Sequence, residues 1–322
     1  MGVKVVLTGE GSDEHFAGYS WFLPDIIREP DHSYPDSALY KDSALRQSLI
    51  DTIKKQSLAL ARTLGGKTLN EQPTPDAVPN MMYSTAVGLA SQDMIAPWVL
   101  TKYGDSIDMT RMVWDRMQPD IKDKMRNKWH PANSAMYMMS KTILSNVILA
   151  SMGDRSEMAH SVEGRPPFLD HHLTEFVDSL PPTLKTKFRE DADGDMDVTK
   201  GFWWTSTSQS AAAAFTDKWL LREIVKPFVT DEVYKRRKQP FLAPYKWSKN
   251  GPLRAKYAEL LTKDAVEALG FVSYDYVRQA LDNGFGEDAN AQAFRQATIV
   301  AAWVVISRRF GVKIADPGDD VK

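Results

Sequence analysis

The chain has 322 residues, of which 43% are hydrophobic, so it is long and apolar enough for one large domain or two smaller ones. Its 40 basic and 42 acidic residues give a formal net charge of −2, which argues against nucleic acid or an anionic membrane surface as a partner. Cysteine is absent, which excludes disulfides, thiolate nucleophiles and sulfur-ligated metals within these residues.

The sequence shows neither a membrane-spanning pattern nor a secretory one. No apolar run approaches the ~18 residues that a spanning helix needs. The first residues also lack a basic segment followed by an apolar one. We therefore expect a cytoplasmic protein with no membrane partner.

The first predicted element is a short buried strand, Val3–Leu7, which ends in a glycine-rich turn. The two glycines of Gly9-Glu10-Gly11 allow positive φ and a close approach of the backbone to an anion. Ser12-Asp13-Glu14 would then open a helix, whose first N–H groups favour phosphate. Two carboxylates beside such a nest suit a divalent metal that bridges them to phosphate oxygens. Taken alone, an acidic strand–helix turn without function explains this short motif equally well.

Helical periodicity dominates the rest of the chain. Leucine and isoleucine positions between 45 and 64 share one helical face, and Gly65-Gly66 follows, which predicts a helix over residues 37–64. A loop over 67–80 follows, and helical patterns then resume over 81–103 and 107–129, with breaks at Pro97 and Pro119.

Three further features lie after residue 130. The methionine-rich span 131–150 is typical of an adaptable core. The polar stretch 181–201 contains aspartates spaced like a calcium loop, but it lacks the glycine and the bidentate glutamate, which favours a solvated loop. A final helix is predicted near Ala289–Phe310, stopped by Gly311. Strand signals after Leu7 are sparse, so the prediction is a mainly α chain with a small remnant of a parallel sheet.

Three motifs, in the same order, resemble the asparagine synthetase family, which includes the β-lactam synthetases. Thr8–Tyr19 is similar to the family's second phosphate loop. The other two are Gly153–Asp170, which contains Glu-Gly-Arg-Pro-Pro-Phe-Leu-Asp, and Lys218–Glu223 followed by Tyr234–Phe241. The resemblance implies the C-terminal portion of an α/β ATP-pyrophosphatase-type synthetase domain, a single partial domain over residues 1–322. Its parts are the strand and phosphate motif (1–20), a helical region that aligns poorly (20–130) and a helical region with the remaining motifs (131–322).

The resemblance also implies a reaction. Family members are carbon–nitrogen ligases that use ATP and Mg²⁺ to convert a substrate carboxylate into an acyl-adenylate, from which an amine or ammonia displaces AMP. In this sequence Asp13 matches the position at Mg²⁺-pyrophosphate, and Glu10 matches the one beside the acyl group and the incoming nitrogen. The backbone of Gly9, Gly11 and Ser12 matches the lining of the phosphate nest. These implications place the chain in amide-bond formation and asparagine biosynthesis.

The resemblance maps Lys238 onto the family's catalytic lysine. The physical argument agrees, because phosphoryl and acyl transfer depend largely on positioned positive charge. Seen alone, the basic run Lys235–Lys238 is equally well explained as an exposed surface loop. In the middle motif, Arg155, Glu163 and Arg165 are expected to support the site, with the last two as a buried ion pair.

One departure from the family limits these expectations. Complete members carry a first ATP loop, Ser-Gly-Gly-x-Asp-Ser, upstream, and Gly65-Gly66, followed by Lys-Thr-Leu, does not replace it. We therefore expect this chain to need a separate chain for that loop and to make no asparagine alone. The alternatives are an ATP-independent small-molecule enzyme that reuses the Glu10/Lys238 pocket, or a non-catalytic binding remnant. With its sheet neighbours missing, Val3–Leu7 would expose apolar surface, which predicts that the chain forms a homodimer or associates with another chain through this region.

Overall fold

The computed structural model describes residues 2–52, 92–103, 114–189, 214–236 and 244–318. Most of these residues are helical and the sheets are small, so the predicted mainly α class with a parallel remnant is confirmed. Within those ranges, no helix has the length and apolar character needed to cross a membrane. The chain forms two compact units: the first contains the described residues 2–52, 114–189 and 214–236, and the second contains 92–103 and 244–318.

The elements follow one another along the chain as short helices and still shorter strands. In chain order they are β1 (Val5–Leu7), α1 (Ser12–His15), α2 (Leu23–Ile26), α3 (Ala38–Lys41), α4 (Pro97–Tyr103), α5 (Pro119–Asn127), α6 (Pro131–Met139), a π-helix (Ser140–Asp154), α7 (Arg155–Ala159), β2 (Glu163–Arg165), α8 (His171–Asp178), α9 (Pro182–Lys185), β3 (Lys187–Phe188), β4 (Phe215–Thr216), α10 (Trp219–Val225), α11 (Asp231–Lys235), α12 (Pro252–Leu260), α13 (Lys263–Glu267), α14 (Tyr274–Asn283) and α15 (Ala291–Phe310). Single 3₁₀ turns lie at Ser20–Phe22, Gln92–Met94, Pro167–Leu169 and Lys226–Phe228.

In the first unit, β1 and β2 form a parallel pair in which Val6 is opposite Gly164. The Thr8 N–H donates to the Arg165 carbonyl at 3.0 Å and extends this ladder into the turn after β1. A side chain at position 164 would overlap the Glu157 carboxylate, so it would have to displace the end of that side chain. The strand that leads into the first family-like motif therefore lies beside a strand of the second motif, although the two are distant in sequence.

The strand β1 is exposed, which contradicts the buried strand predicted from its apolar run and agrees with the expectation that Val3–Leu7 exposes apolar surface. Val5 is 41% exposed and Leu7 is 76% exposed. The apolar run correctly indicated a strand, but burial depends on the elements that cover it. Within the described residues β1 pairs with β2 alone.

The core of the first unit surrounds α6, the methionine-rich helix. Met136, Met138 and Met139 are buried, which confirms the predicted core role of this span. Pro131 occupies the first turn of α6, where proline costs no hydrogen bond. The buried side chains that pack in the same cluster include Phe22, Leu23, Ile26, Ile27, Leu49 and Trp114.

The predicted continuous helix over 37–64 is interrupted. Helix α3 ends at Asp42, which has extended backbone angles of φ −112° and ψ 97°. The Asp42 carboxylate accepts a hydrogen bond from the Leu45 N–H at 2.9 Å and so starts the helical segment 43–52. Residues 53–64, the predicted loop 67–80 and the aspartate-rich segment 191–197 lie outside the described residues. Pro97 and Pro119 begin α4 and α5, which confirms both predicted breaks.

The second unit has its own core on the long helix α15. Ala297, Val300, Ala301 and Val304 are buried along one face, as the periodicity predicted. The Asn290 side chain accepts a hydrogen bond from the Ala293 N–H and fixes the start of the helix. Gly311 ends it with a left-handed φ of 59°.

Candidate active site

The glycine-rich turn after β1 is locked by its own side chains. Gly11 has a left-handed φ of 91°, and a side chain there would overlap Leu169, so only glycine fits. The four residues of α1 are buried. Within this helix the Glu14 carboxylate accepts hydrogen bonds from the Gly11 N–H at 3.0 Å and from the Tyr19 hydroxyl at 2.9 Å. Glu14 therefore shapes the turn.

Two backbone groups predicted to line a phosphate nest are already used within the turn. The Gly11 N–H donates to Glu14, and the Ser12 N–H donates to the Gly9 carbonyl at 3.3 Å. The nest expected at Gly11 and Ser12 is thus closed in this structure. Gly9 is exposed, and no atom lies within 4 Å of where its Cβ would be.

Asp13 is paired with a lysine from the third motif. Its Oδ1 lies 3.0 Å from the Lys218 Nζ, and the Asp13 and Lys218 side chains are only 13% and 19% exposed. On another side, Asp13 packs so closely on Gly18 that an added methyl group there would overlap the carboxylate. From the sequence, Lys238 was expected to supply the positive charge of the site, and Lys218 was given no role. The available signal was the position of Lys218 at the head of a motif already recognised as family-like.

Arg222 fixes the local framework around Lys218. Its guanidinium bonds to both the carbonyl and the carboxylate of Asp217, at 2.9 and 2.7 Å. Its Nη1 also donates to the carbonyls of Tyr234 and Arg236, at 2.8 and 2.9 Å. Arg222 thereby joins the start of α10 to the segment that leads towards Lys238. Lys238 itself lies outside the described residues, so the pocket of Glu10 and Lys238 stays a prediction.

Glu10 is half-buried, and its Oε2 atom is buried without a hydrogen-bond partner in the described parts of the chain. A buried carboxylate oxygen of this kind favours a nearby cation or donor. Burial, followed by the charges of Glu14, Asp13 and Glu10, raises the pKa of the Tyr19 phenol. Tyr19 therefore stays protonated and donates to Glu14. The motif concentrates negative charge around one turn.

The acidic residues suit a metal that takes some of its ligands from phosphate, rather than one whose ligands all come from the protein. No cluster of three or more histidine or acidic ligands that could hold a metal occurs among the described residues. Mg²⁺ usually takes one or two carboxylates and completes its shell with phosphate oxygens and water. Asp13, with Glu10 three positions before it, provides a donor set of that size.

Comparison with known proteins identifies the family. A sequence model of the family described as asparagine synthase matches residues 1–305. The chain belongs to the asparagine synthase family. It is 35% identical to "Amidase chyE" of Penicillium rubens and 37% identical to "Amidase chry2" of Gibberella zeae, in each case over 98% of this chain and 43% of the relative. It is 24% identical to "Asparagine synthetase [glutamine-hydrolyzing] 1" of Bacillus subtilis, over 96% of this chain and 42% of that protein.

The chain thus spans less than half the length of these curated relatives of the asparagine synthase family. No solved structure matches it. Membership of this family supports a ligase-type enzyme, whereas two of the relatives carry the name amidase.

The middle family motif supports the turn through its backbone. Glu163 and Arg165 form the predicted ion pair at 2.7 Å, but both side chains are exposed, so the expectation of a buried pair is wrong. Each side chain stabilises the charged form of the other. Arg165 lowers the pKa of Glu163, and Glu163 raises the pKa of Arg165. The Arg165 carbonyl, which accepts from Thr8, is the contact that reaches the phosphate motif. Arg155 is exposed at the start of α7.

A second cluster of charged side chains includes His15, which lies within the phosphate motif. The His15 Nδ1 is 2.9 Å from Asp178 Oδ1, and the Lys185 Nζ is 3.9 Å from the same oxygen. Lys185 is 1% exposed and also contacts the Met136 sulfur at 3.7 Å. Burial lowers the pKa of Lys185 to about 8, and Asp178 partly opposes this change. The sequence motifs do not predict this cluster, because Asp178 and Lys185 lie outside all three of them.

Proposed function

We propose that this chain contributes part of an active site for ATP-dependent amide-bond formation by way of an acyl-adenylate. The observation that carries the proposal is the ion pair between Asp13 and Lys218 at 3.0 Å. It brings the first and third family motifs together around a buried carboxylate. The membership of the asparagine synthase family supports the reaction class.

In this proposal ATP would supply the electrophilic phosphorus and Mg²⁺ would supply positive charge at the phosphates. Asp13 would hold the metal, and the exposed Gly9 end of the turn would face the phosphates. Lys218 and Lys238 supply positive charge where negative charge builds up during phosphoryl and acyl transfer. Glu10, whose Oε2 is buried and lacks a hydrogen bond in the described residues, faces the acyl group and the incoming nitrogen.

The substrates are a small carboxylic acid and an amine or ammonia. A separate polypeptide, or further sequence of a longer protein, would supply the first ATP loop, because the chain covers 43% or less of its relatives' length. Arg222 holds residues 234–236, the segment that precedes Lys238 in the sequence, since it donates hydrogen bonds to the Tyr234 and Arg236 carbonyls.

A second candidate is ATP-independent amide hydrolysis, favoured by the name amidase that two relatives carry. In that reaction the Glu10/Lys238 pocket would act on an amide without ATP. A thiol nucleophile is excluded within these residues, since the chain has no cysteine. Both candidates use the same pocket, so a measurement of ATP dependence separates them.

The test uses this chain with and without the upstream half of a family member that carries the Ser-Gly-Gly-x-Asp-Ser loop. Pyrophosphate release from Mg²⁺-ATP is measured with a panel of small carboxylic acids and ammonia. Ammonia release from the corresponding amides is measured without ATP. We expect acid-dependent pyrophosphate release in the mixture only, lost in Asp13→Asn and Lys238→Met and retained in Lys235→Met. Ammonia release from amides without ATP would overturn the proposal in favour of hydrolysis.

A further inference from the structure

The contact between Asp13 and Lys218 joins two groups that the proposed function needs for different ligands. Asp13 is needed for the metal, and Lys218 for phosphate. In the structure, however, the lysine Nζ lies 3.0 Å from the Asp13 Oδ1. With 13% and 19% of the side chains exposed, the pair is largely withdrawn from water. A carboxylate at that depth is costly unless a cation balances it.

The position of Lys218 is set by its neighbours as well as by Asp13. Its backbone has left-handed angles, φ 49° and ψ 39°, immediately before α10. Such angles are unfavourable for a residue with a side chain and persist where the surroundings enforce them. The bonds from Arg222 to Asp217 provide that constraint on one side. Lys187 provides a contact on the other, because its ammonium lies 4.8 Å from the centre of the Trp219 ring.

The Asp13 carboxylate is also confined. Gly18 packs against the same Oδ1 that faces Lys218, and any side chain at position 18 would overlap it. A divalent cation that binds this oxygen would lie within a few ångströms of the lysine ammonium. Two cations at that separation repel each other strongly in a site with little water. The metal and the lysine therefore compete for this oxygen.

We propose that Lys218 is a placeholder for the metal. In the metal-free protein it neutralises Asp13 and keeps the turn in shape. When Mg²⁺ binds Asp13, the metal displaces the ammonium, which then becomes available to a phosphate group. Lys218 is thus a positioning residue whose release is coupled to metal binding. This inference rests on the proposed function, since it takes Asp13 as the metal ligand.

The proposal predicts that removal of the competing cation strengthens metal binding. Mg²⁺ alone is titrated into the chain by calorimetry, and the thermal midpoint is followed in parallel. In Lys218→Met the Kd for Mg²⁺ should fall by about tenfold, because the metal no longer displaces an ammonium. The metal-free variant should melt at a lower temperature than the parent, and Mg²⁺ should restore most of the loss.

A second variant keeps the charge and protects the test against a folding defect. Lys218→Arg offers a guanidinium, which binds a carboxylate through two parallel hydrogen bonds and is harder to displace. Its Kd for Mg²⁺ should rise severalfold above that of the parent. Lys235→Met is the matched control: Lys235 forms an exposed ion pair with Asp231 at 2.7 Å, so its loss should leave the Kd unchanged.

The outcomes separate the placeholder from the proposed function itself. If the parent chain binds Mg²⁺ and Lys218→Met binds it equally well or more weakly, the placeholder proposal is overturned and the metal site stands. A parent chain and a Lys218→Met variant that both bind no Mg²⁺, or an Asp13→Asn variant that binds it as well as the parent, would overturn the metal assignment and the placeholder together.

Discussion

At the scale of single residues, Gly18 is the position where one added methyl group should disturb the site most directly. The new Cβ would overlap the Asp13 carboxylate, which Lys218 holds from another side. We expect Gly18→Ala to lower the free energy of unfolding by about 1–3 kcal/mol, the usual cost of overpacking. Denaturant unfolding measures the change. Gly9→Ala is the control, because no atom lies within 4 Å of that Cβ and stability should change little. Equal stability in the two variants would contradict the packing described here.

Lys185 gives a second prediction at the residue scale. Burial lowers its pKa to about 8 in the folded protein, whereas the unfolded chain retains the ordinary value of 10.5. Between these values the unfolded state binds the extra proton, so this residue makes stability rise as the pH rises. Below pH 8 the full penalty is present.

We therefore expect Lys185→Met to be more stable than the parent at pH 7, by on the order of 1–3 kcal/mol. The difference between the two proteins should shrink from pH 8 to pH 10.5. Denaturant unfolding of both proteins at several pH values tests this. A variant that is less stable at pH 7 would show that the Lys185 contacts with Asp178 and Met136 outweigh the burial of the charge.

Single residues also show which features of the site were predictable from the sequence and which were not. The run from Glu10 to Asp13 was found because glycine, acid and turn chemistry are local properties of a short segment. Lys218 was missed as the partner of Asp13 because an ion pair between distant segments depends on how the chain folds back. The engagement of the Gly11 and Ser12 N–H groups was not predicted either, since the Glu14 carboxylate and the Gly9 carbonyl were not considered as their acceptors.

At the scale of elements, helix α6 starts at a histidine cap that is sensitive to acid. The His130 Nδ1 accepts a hydrogen bond from the Ala132 N–H at 3.1 Å, which requires that nitrogen to be unprotonated. Burial lowers the pKa of His130, although the Glu29 carbonyl and the charges of Glu29 and Asp31 oppose this change. The folded state therefore resists protonation.

Because the pKa of folded His130 lies below the unfolded value, its contribution to stability is lost as the pH falls below about 6.5. We expect His130→Asn, which keeps a cap without titrating, to lose about 1 kcal/mol less stability than the parent between pH 7 and pH 5. Thermal and denaturant unfolding at both pH values provide the comparison. Parallel stability curves for the two proteins would contradict the capping role.

Element boundaries were predictable where a residue acts on its own backbone. Pro97, Pro119 and Gly311 begin or end helices through their fixed or permissive φ, so the sequence located all three. Asp42 interrupts the predicted helix 37–64, because a short side chain that caps the following N–H competes with apolar periodicity. The apolar run of β1 wrongly predicted burial when taken alone, since such a run specifies a strand but not the layers around it.

At the scale of the whole molecule, the exposed strand β1 predicts association. Val5 and Leu7 present apolar side chains to solvent, and parallel strands are normally covered on both faces. We expect the isolated chain to self-associate through this region, and Leu7→Lys to shift it towards the monomer in light scattering. Phe228→Ser is the control: Phe228 is 83% exposed elsewhere in the same unit, so its loss should change little. A stable parent monomer with slow hydrogen exchange at Val5 and Val6 would contradict this.

The family followed from three motifs in order, and the mainly α class followed from helical periodicity. The parallel pairing of β1 with β2 followed from neither. Register between distant strands depends on everything that folds between them. The same reason explains why the substrate acid and the nitrogen donor were not predicted, because the residues that line an acyl pocket need not form a local pattern.

The central claim is that the Asp13 turn serves adenylation of a carboxylate. It is tested most directly with a substrate acid labelled with ¹⁸O in its carboxylate, with aspartate as the first acid tried. The labelled acid is given to this chain together with an upstream half that carries the first ATP loop, Mg²⁺-ATP and ammonia. If the acid is activated as an acyl-adenylate, one ¹⁸O atom passes from the carboxylate to AMP, and mass spectrometry of AMP should find it there at every turnover. Amide turnover that leaves AMP unlabelled, or that proceeds without ATP, would contradict the account.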